Sequence, residues 1–141
     1  MSFERFMKKN KAVKENTFFP ATASLCDENG KPLEWEIRPL TTKESEKIRE
    51  QCTVDIPIPG KPGMYRQKVN EKYIPKLICA AIVTPNLYDV ELQDSYGVKS
   101  PEELIVEMID NPDEYNNLIQ FVQSYSGINK TINDEIKDAK N

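Results

Sequence analysis

Histidine is absent from this chain. Its absence removes Ser/His/Asp and Cys/His nucleophile systems and every histidine-ligated metal site. Cysteine is scarce as well. Cys26, Cys52 and Cys79 form an odd set with no short spacing, which argues against a disulfide framework and a CxxC metal site. Cys79 lies in Leu77-Ile78-Cys79-Ala80-Ala81-Ile82 and reads as a small core residue. No apolar run approaches the ~20 residues that span a bilayer. The longest, Leu77 to Val83, reads as a buried helix. The first nine residues have neither the apolar block nor the small-residue cleavage site of a signal peptide, so the cytoplasm is the expected location. A basic excess is also missing, and a net charge of −4 argues against nucleic acid. Gly60-Lys61-Pro62-Gly63 lacks the Gly-Lys-Ser/Thr ending of a phosphate loop. The expectation is a chain with no catalytic residue, cofactor or metal, and no nucleic-acid or membrane partner.

What is present suits a soluble protein that works through its surfaces: 141 residues, 38% hydrophobic and 30% charged. A chain of this length buries about two thirds of its unfolded surface. The pattern predicts an α+β fold, with an N-terminal β-hairpin or small antiparallel sheet packed on a mainly helical C-terminal part. One domain is expected over residues 1–127, divided into a hairpin part at about 17–40 and a helical part at about 41–127, with a polar, flexible tail at 128–141.

The hairpin reading rests on alternation. Phe19, Ala21, Ala23 and Leu25 alternate with polar or small residues, and Asp27-Glu28-Asn29-Gly30-Lys31-Pro32 supplies the turn. Leu33, Trp35 and Ile37 then face one way, and Glu34, Glu36 and Arg38 the other. Trp35 reads as core closure, with an exposed recognition residue as the alternative.

Thr41 and Glu44 have capping-box spacing and start a surface helix running to about Cys52, with Ile48 and Cys52 turned inward. The Pro/Gly-rich stretch 54–63 cannot be helical and reads as an extended linker or as a loop that orders on a partner. From Val69 the period turns helical, with Val69, Tyr73, Leu77 and Ala81 on one face and Ile74, Ile78 and Ile82 beside it. The helix starts near Pro75 or kinks there, and ends at Thr84-Pro85.

Leu92-Gln93-Asp94-Ser95-Tyr96-Gly97-Val98 reads as a turn that plants Tyr96 as an anchor. Ser100-Pro101-Glu102-Glu103 opens a helix to about Ile109, and Asn111-Pro112-Asp113-Glu114 opens another that stops at Gly127, together a helical hairpin. Between Tyr88 and Tyr115 nine carboxylates face a single Lys99, either a solvated face or one that meets a basic partner.

Candidate partner contacts come in three pairs. Phe3 and Phe6 lie in a short amphipathic N-terminal helix over residues 2–9, followed by Lys8, Lys9, Lys11 and Lys14. This helix reads as a frayed terminus or a binding arm. Ile56 and Ile58 lie in the Pro/Gly stretch, and Ile132 and Ile136 in the tail.

Two blocks carry a family resemblance: Gly30-Lys31-Pro32-Leu33-Glu34-Trp35-Glu36-Ile37-Arg38-Pro39-Leu40-Thr41 and Glu91-Leu92-Gln93-Asp94-Ser95-Tyr96-Gly97-Val98. With Glu102-Glu103-Leu104 and Glu114-Tyr115-Asn116-Asn117-Leu118, they resemble the XkdN-like tail assembly chaperones of contractile-tailed phages and prophages of Gram-positive bacteria. The resemblance implies binding to the tape measure protein during tail-tube assembly, with tail-tube subunits as a further partner, a homo-oligomer left open, and absence from the mature virion. Many genes of that family make a longer product by translational frameshifting near their end, and the resemblance leaves open whether this chain is the short form of one. No catalytic or ligand-binding residue is implied. The alternative is a structural minor tail component retained in the particle.

Overall fold

The computed structural model describes residues 3–128, in which small antiparallel sheets precede a helical half. The α+β expectation holds. β1 (Thr17–Phe19) pairs antiparallel with β2 (Trp35–Ile37), Phe19 opposite Trp35 and Thr17 opposite Ile37. The hairpin is therefore real, but its first strand lies earlier than the alternation at 19–25 suggests. Pro20 has no N–H to give the ladder, so pairing stops at Phe19. The chain returns to register only at a single bridge, Cys26 to Pro32, around the turn at Asp27. Trp35 and Ile37 are buried as expected, whereas Leu33 lies before the paired segment and is exposed.

Helix α1 (Thr42–Gln51) starts where its capping box lies: the Thr41 hydroxyl accepts from the Glu44 N–H, and the Glu44 carboxylate accepts from the Thr41 N–H. Glu44 also receives both guanidinium nitrogens of Arg38, at the end of β2. One carboxylate thus caps the helix and ties it to the sheet. The Arg38 hydrogen bond holds Glu44 at about 2, from an ordinary 4.5. A carboxylate depressed by folding stabilises above its unfolded pKa and loses that contribution as pH falls through the folded value. The pair is a third exposed, so solvent screening limits it to about 1 kcal/mol. Urea midpoints should therefore fall between about pH 5 and pH 2, and less steeply in Glu44→Gln, which can still cap. Equal slopes in the two proteins would show that the pair contributes nothing.

The stretch read as a loop at 54–63 is mostly a second hairpin. β3 (Thr53–Pro57) pairs antiparallel with β4 (Tyr65–Val69), Thr53 opposite Val69 and Pro57 opposite Tyr65. The prolines and glycines build its end. Lys61 N–H donates to Ile58 C=O and Met64 N–H to Lys61 C=O, giving two successive four-residue turns. Pro59 and Pro62 take the second position of these turns, and Gly60 and Gly63, both at φ 78°, the third. Val69 consequently belongs to a strand and not to the helix that follows.

Helix α2 (Tyr73–Ala81) is the centre of the core, with Tyr73, Leu77, Ile78, Cys79 and Ala81 buried. Pro75 occupies its third position, where an N–H would have no intrahelical partner, so the helix starts near it, the first of the two expected readings. The β-branched Ile82, Val83 and Thr84 ahead of Pro85 leave the helix for β5 (Ile82–Thr84), which pairs with β2 and makes the sheet order β1-β2-β5.

Three more helices follow. α3 (Val90–Ser95) occupies part of the expected Tyr96 turn, capped by Asp89, with Tyr96 just past its end and packed against the core. α4 (Pro101–Met108) and α5 (Pro112–Ser126) form where expected, capped by Ser100 and Asn111, but each packs on α2 and they do not pair with each other as the expected hairpin. Only the forward half of the box forms at α4, because the Glu103 side chain stays in solvent. α5 stops at Gly127, whose φ of 73° suits glycine. The buried Leu104, Ile105, Leu118 and Val122 close the core against α2.

Candidate partner-binding surface

Glu114, in the first turn of α5, accepts from the Thr22 hydroxyl and the Ala23 N–H, both at 2.7 Å. The Ala23 N–H, followed by Thr22, holds its carboxyl below the usual range. This is a long-range clamp, 91 residues apart in sequence, that fixes the irregular strand connection onto the helical half. At the other end of α5, Phe19 stacks on Phe121 at 4.4 Å and Phe121 on Tyr125 at 5.9 Å. Lys14 Nζ sits 4.1 Å over the Tyr125 ring and donates to the Tyr125 carbonyl, while the Tyr125 hydroxyl donates to the Glu15 carbonyl. Lys14 and Glu15 therefore moor the N-terminal arm to the C-terminal end of α5.

That arm is not the helix expected over 2–9. It consists of two short 3-10 turns, Glu4–Phe6 and Lys8–Asn10, joined by an extended Met7. Neither turn buries a residue, so packing cannot offset the cost of nucleating a longer helix. The candidates Phe3 and Phe6 are both exposed, Phe6 at 79%, together with Met7 and with Val13 at 85%.

The second hairpin is less apolar than its isoleucines suggest. Ile56 and Ile58 are half-buried, whereas Val54, Met64 and Tyr65 are exposed, Tyr65 at 61%. Between this hairpin and α1 runs an open groove of about 470 Å³, walled by Glu46, Arg49 and Glu50 on the helix and Thr53, Asp55 and Gln67 on the strands. Its polar walls and open mouth suit solvent better than an enclosed small molecule. Ile132 and Ile136 lie outside the described residues.

A third apolar group escapes sequence reasoning. Tyr88 is 67% exposed, Val90 68%, and Val106 on the outer side of α4 is also exposed. They lie among the carboxylates of residues 88–115. Burial, then Cys79 and Glu102, raise the Tyr88 phenol pKa. Tyr88 and Val90 have no periodic signal because one precedes and the other opens a helix of only six residues. Val106 has helical spacing but points the wrong way for the core.

Among the described residues, no group of three or more Cys, Asp and Glu side chains is placed to hold a metal ion. Burial, then Glu102, pushes the Cys79 thiol up to about 12, far from thiolate chemistry. The Tyr115 hydroxyl is buried without a hydrogen-bond partner. Removing an unsatisfied buried hydroxyl is nearly neutral or stabilising. Tyr115→Phe should accordingly leave the urea midpoint unchanged or raise stability by up to about 1 kcal/mol. A loss above that would reveal a partner for the hydroxyl. Among the described residues, no helix is long and apolar enough to cross a membrane.

Comparison with known proteins gives one consistent result. The family model described as phage XkdN-like tail assembly chaperone protein matches residues 3–140. The phage-like element PBSX protein XkdN of Bacillus subtilis (strain 168) is 18% identical over 122 residues, covering 86% of this chain and 82% of that one. The crystal structure of the protein YqbN superposes with a TM-score of 0.74 at 15% identity, covering 92% of this chain and 98% of that chain, a likeness of fold.

Proposed function

This chain belongs to the phage XkdN-like tail assembly chaperone family, and from that premise we propose that it is a non-catalytic holdase for the tape measure protein. It acts in the cytoplasm of the bacterial host and is left out of the finished particle. The observation that carries this reading is the number of large apolar side chains held in solvent by the arm and the second hairpin, the parts least tied to the core. Phe3, Phe6, Val13, Val54, Met64 and Tyr65 are all exposed. Scattered exposed apolar residues are ordinary, but several on slender, projecting elements suit the capture of an aggregation-prone chain. The net charge of −4 keeps such a complex soluble. Tail-tube subunits are a second partner of the same kind.

Co-expression with the tape measure protein from the same gene cluster tests this. The tape measure protein should be insoluble alone and should co-elute with this chain from a sizing column when the two are made together. Replacing Phe3, Phe6, Met64 and Tyr65 by serine should at least halve the soluble tape measure protein without changing the chaperone's melting curve. A tape measure protein that stays insoluble beside a well-folded wild-type chain would overturn the reading. Recovery of this chain from purified particles would replace it with a structural tail component.

A further inference from the structure

We infer that the outer edge of β4 is a strand-addition site, on which an extended, carboxylate-bearing segment of the client pairs as a third strand. The inference rests on the tape measure protein as client and assigns where that client is held. β3 and β4 form a sheet of two strands, and among the described residues no third strand pairs with either edge. Two strands alone are marginal in water, and a third completes such a unit through main-chain hydrogen bonds.

Register decides which backbone groups face outward. At the two ends of the hairpin, Ile58 N–H donates to Met64 C=O and Asn70 N–H to Cys52 C=O. These pairs are in step with Val54 opposite Lys68 and Ile56 opposite Arg66, so the even-numbered pairs exchange the ladder hydrogen bonds. Tyr65, Gln67 and Val69 therefore turn their N–H and C=O groups away from β3. On β3 the outward positions are Thr53, Asp55 and Pro57, and Pro57 has no N–H to give a further strand. β4 is the edge left open, with no proline and no bulge to break its register. Tyr65, Arg66 and Gln67 are exposed, and the groove beside α1 reaches Gln67, Lys68 and Val69.

The side chains select the occupant. Residues 53–69 hold Lys61, Arg66 and Lys68 against the single Asp55, a basic hairpin in a chain of net charge −4. A strand laid beside β4 sets alternate side chains next to Arg66 and Lys68, where carboxylates are attracted and basic residues repelled. On the other face it meets Tyr65, which favours an aromatic or β-branched neighbour. Lysine on a bare edge deters indiscriminate pairing, so Lys68 acts as a filter that admits acidic strands.

Co-expression of the full chain with the tape measure protein, followed by sizing and residue-resolved amide hydrogen exchange, tests this. In the free chain the Arg66 and Lys68 amides should be protected and those of Tyr65 and Gln67 open. In the complex, exchange at Tyr65 and Gln67 should slow by at least about tenfold. Gln67→Pro removes an outward N–H without touching the ladder and should cut the co-eluting tape measure protein at least about fivefold, as should Lys68→Glu. Asp55→Pro makes the same change on the β3 edge and should bind like wild type. A wild-type chain that leaves the tape measure protein insoluble would overturn the client reading and this inference together. The inference alone fails if a soluble wild-type complex leaves the Tyr65 and Gln67 amides open, if Gln67→Pro and Lys68→Glu bind normally, or if Asp55→Pro loses as much.

Discussion

Replacing Trp35 by alanine should cost about 3–5 kcal/mol, as large aromatic truncations in packed cores do. The ring is 2% exposed on the central strand of the three-stranded sheet, opposite Phe19. A domain of this size has roughly 5–15 kcal/mol in hand, so the variant is expected to be partly unfolded at room temperature or close to it. Trp35 is the sole tryptophan, and removing it deletes the fluorescence signal. Far-UV circular dichroism in urea is therefore the measurement to make. Trp35→Phe should lose less, because most of the buried area remains. A loss under about 1 kcal/mol for the alanine variant would mean that the indole is not part of the core.

Leu77→Ala should cost about 2–5 kcal/mol, the range for a buried leucine whose cavity cannot collapse. Leu77 is fully buried in α2, which packs against α1, α4 and α5, so the void opens among several elements at once. Leu77→Met conserves volume and should lose less than about 1.5 kcal/mol. Val106→Ala, at an exposed position on α4, should stay within about 0.5 kcal/mol. A Leu77→Ala protein as stable as wild type would mean that α2 is not the centre of the core.

Several elements were readable directly from neighbouring residues. The caps at Thr41, Ser100 and Asn111 and the stop at Gly127 are local chemistry: a side chain or a backbone angle satisfies groups one to four residues away. The buried stripe of α2 and the inward pair Trp35 and Ile37 follow from periodicity. The family blocks around Trp35 and Tyr96 pointed to the same family that the comparisons show.

Other features resisted for identifiable reasons. β4, Tyr65–Val69, meets the core only at its end, through Val69, so most of it is polar and the alternation that reveals a strand is missing. Ile82 continues the apolar face of α2 by spacing, yet pairing with β2 draws it into β5. The arm's helical spacing has no surface to pack on. Tyr88 and Val90 appear as surface residues only once α3 is in place.

The sequence by itself determined the α+β class, the helix starts, the central buried helix and the absence of histidine-dependent chemistry, since each depends on composition or on residues a few positions apart. The tertiary structure alone decided the third strand, the Glu114 clamp on Thr22 and Ala23, the mooring of the arm on Tyr125, and which apolar side chains remain in solvent. Those depend on contacts between segments far apart in the chain, whose free energy is set by what each surface meets after folding and not by its own pattern.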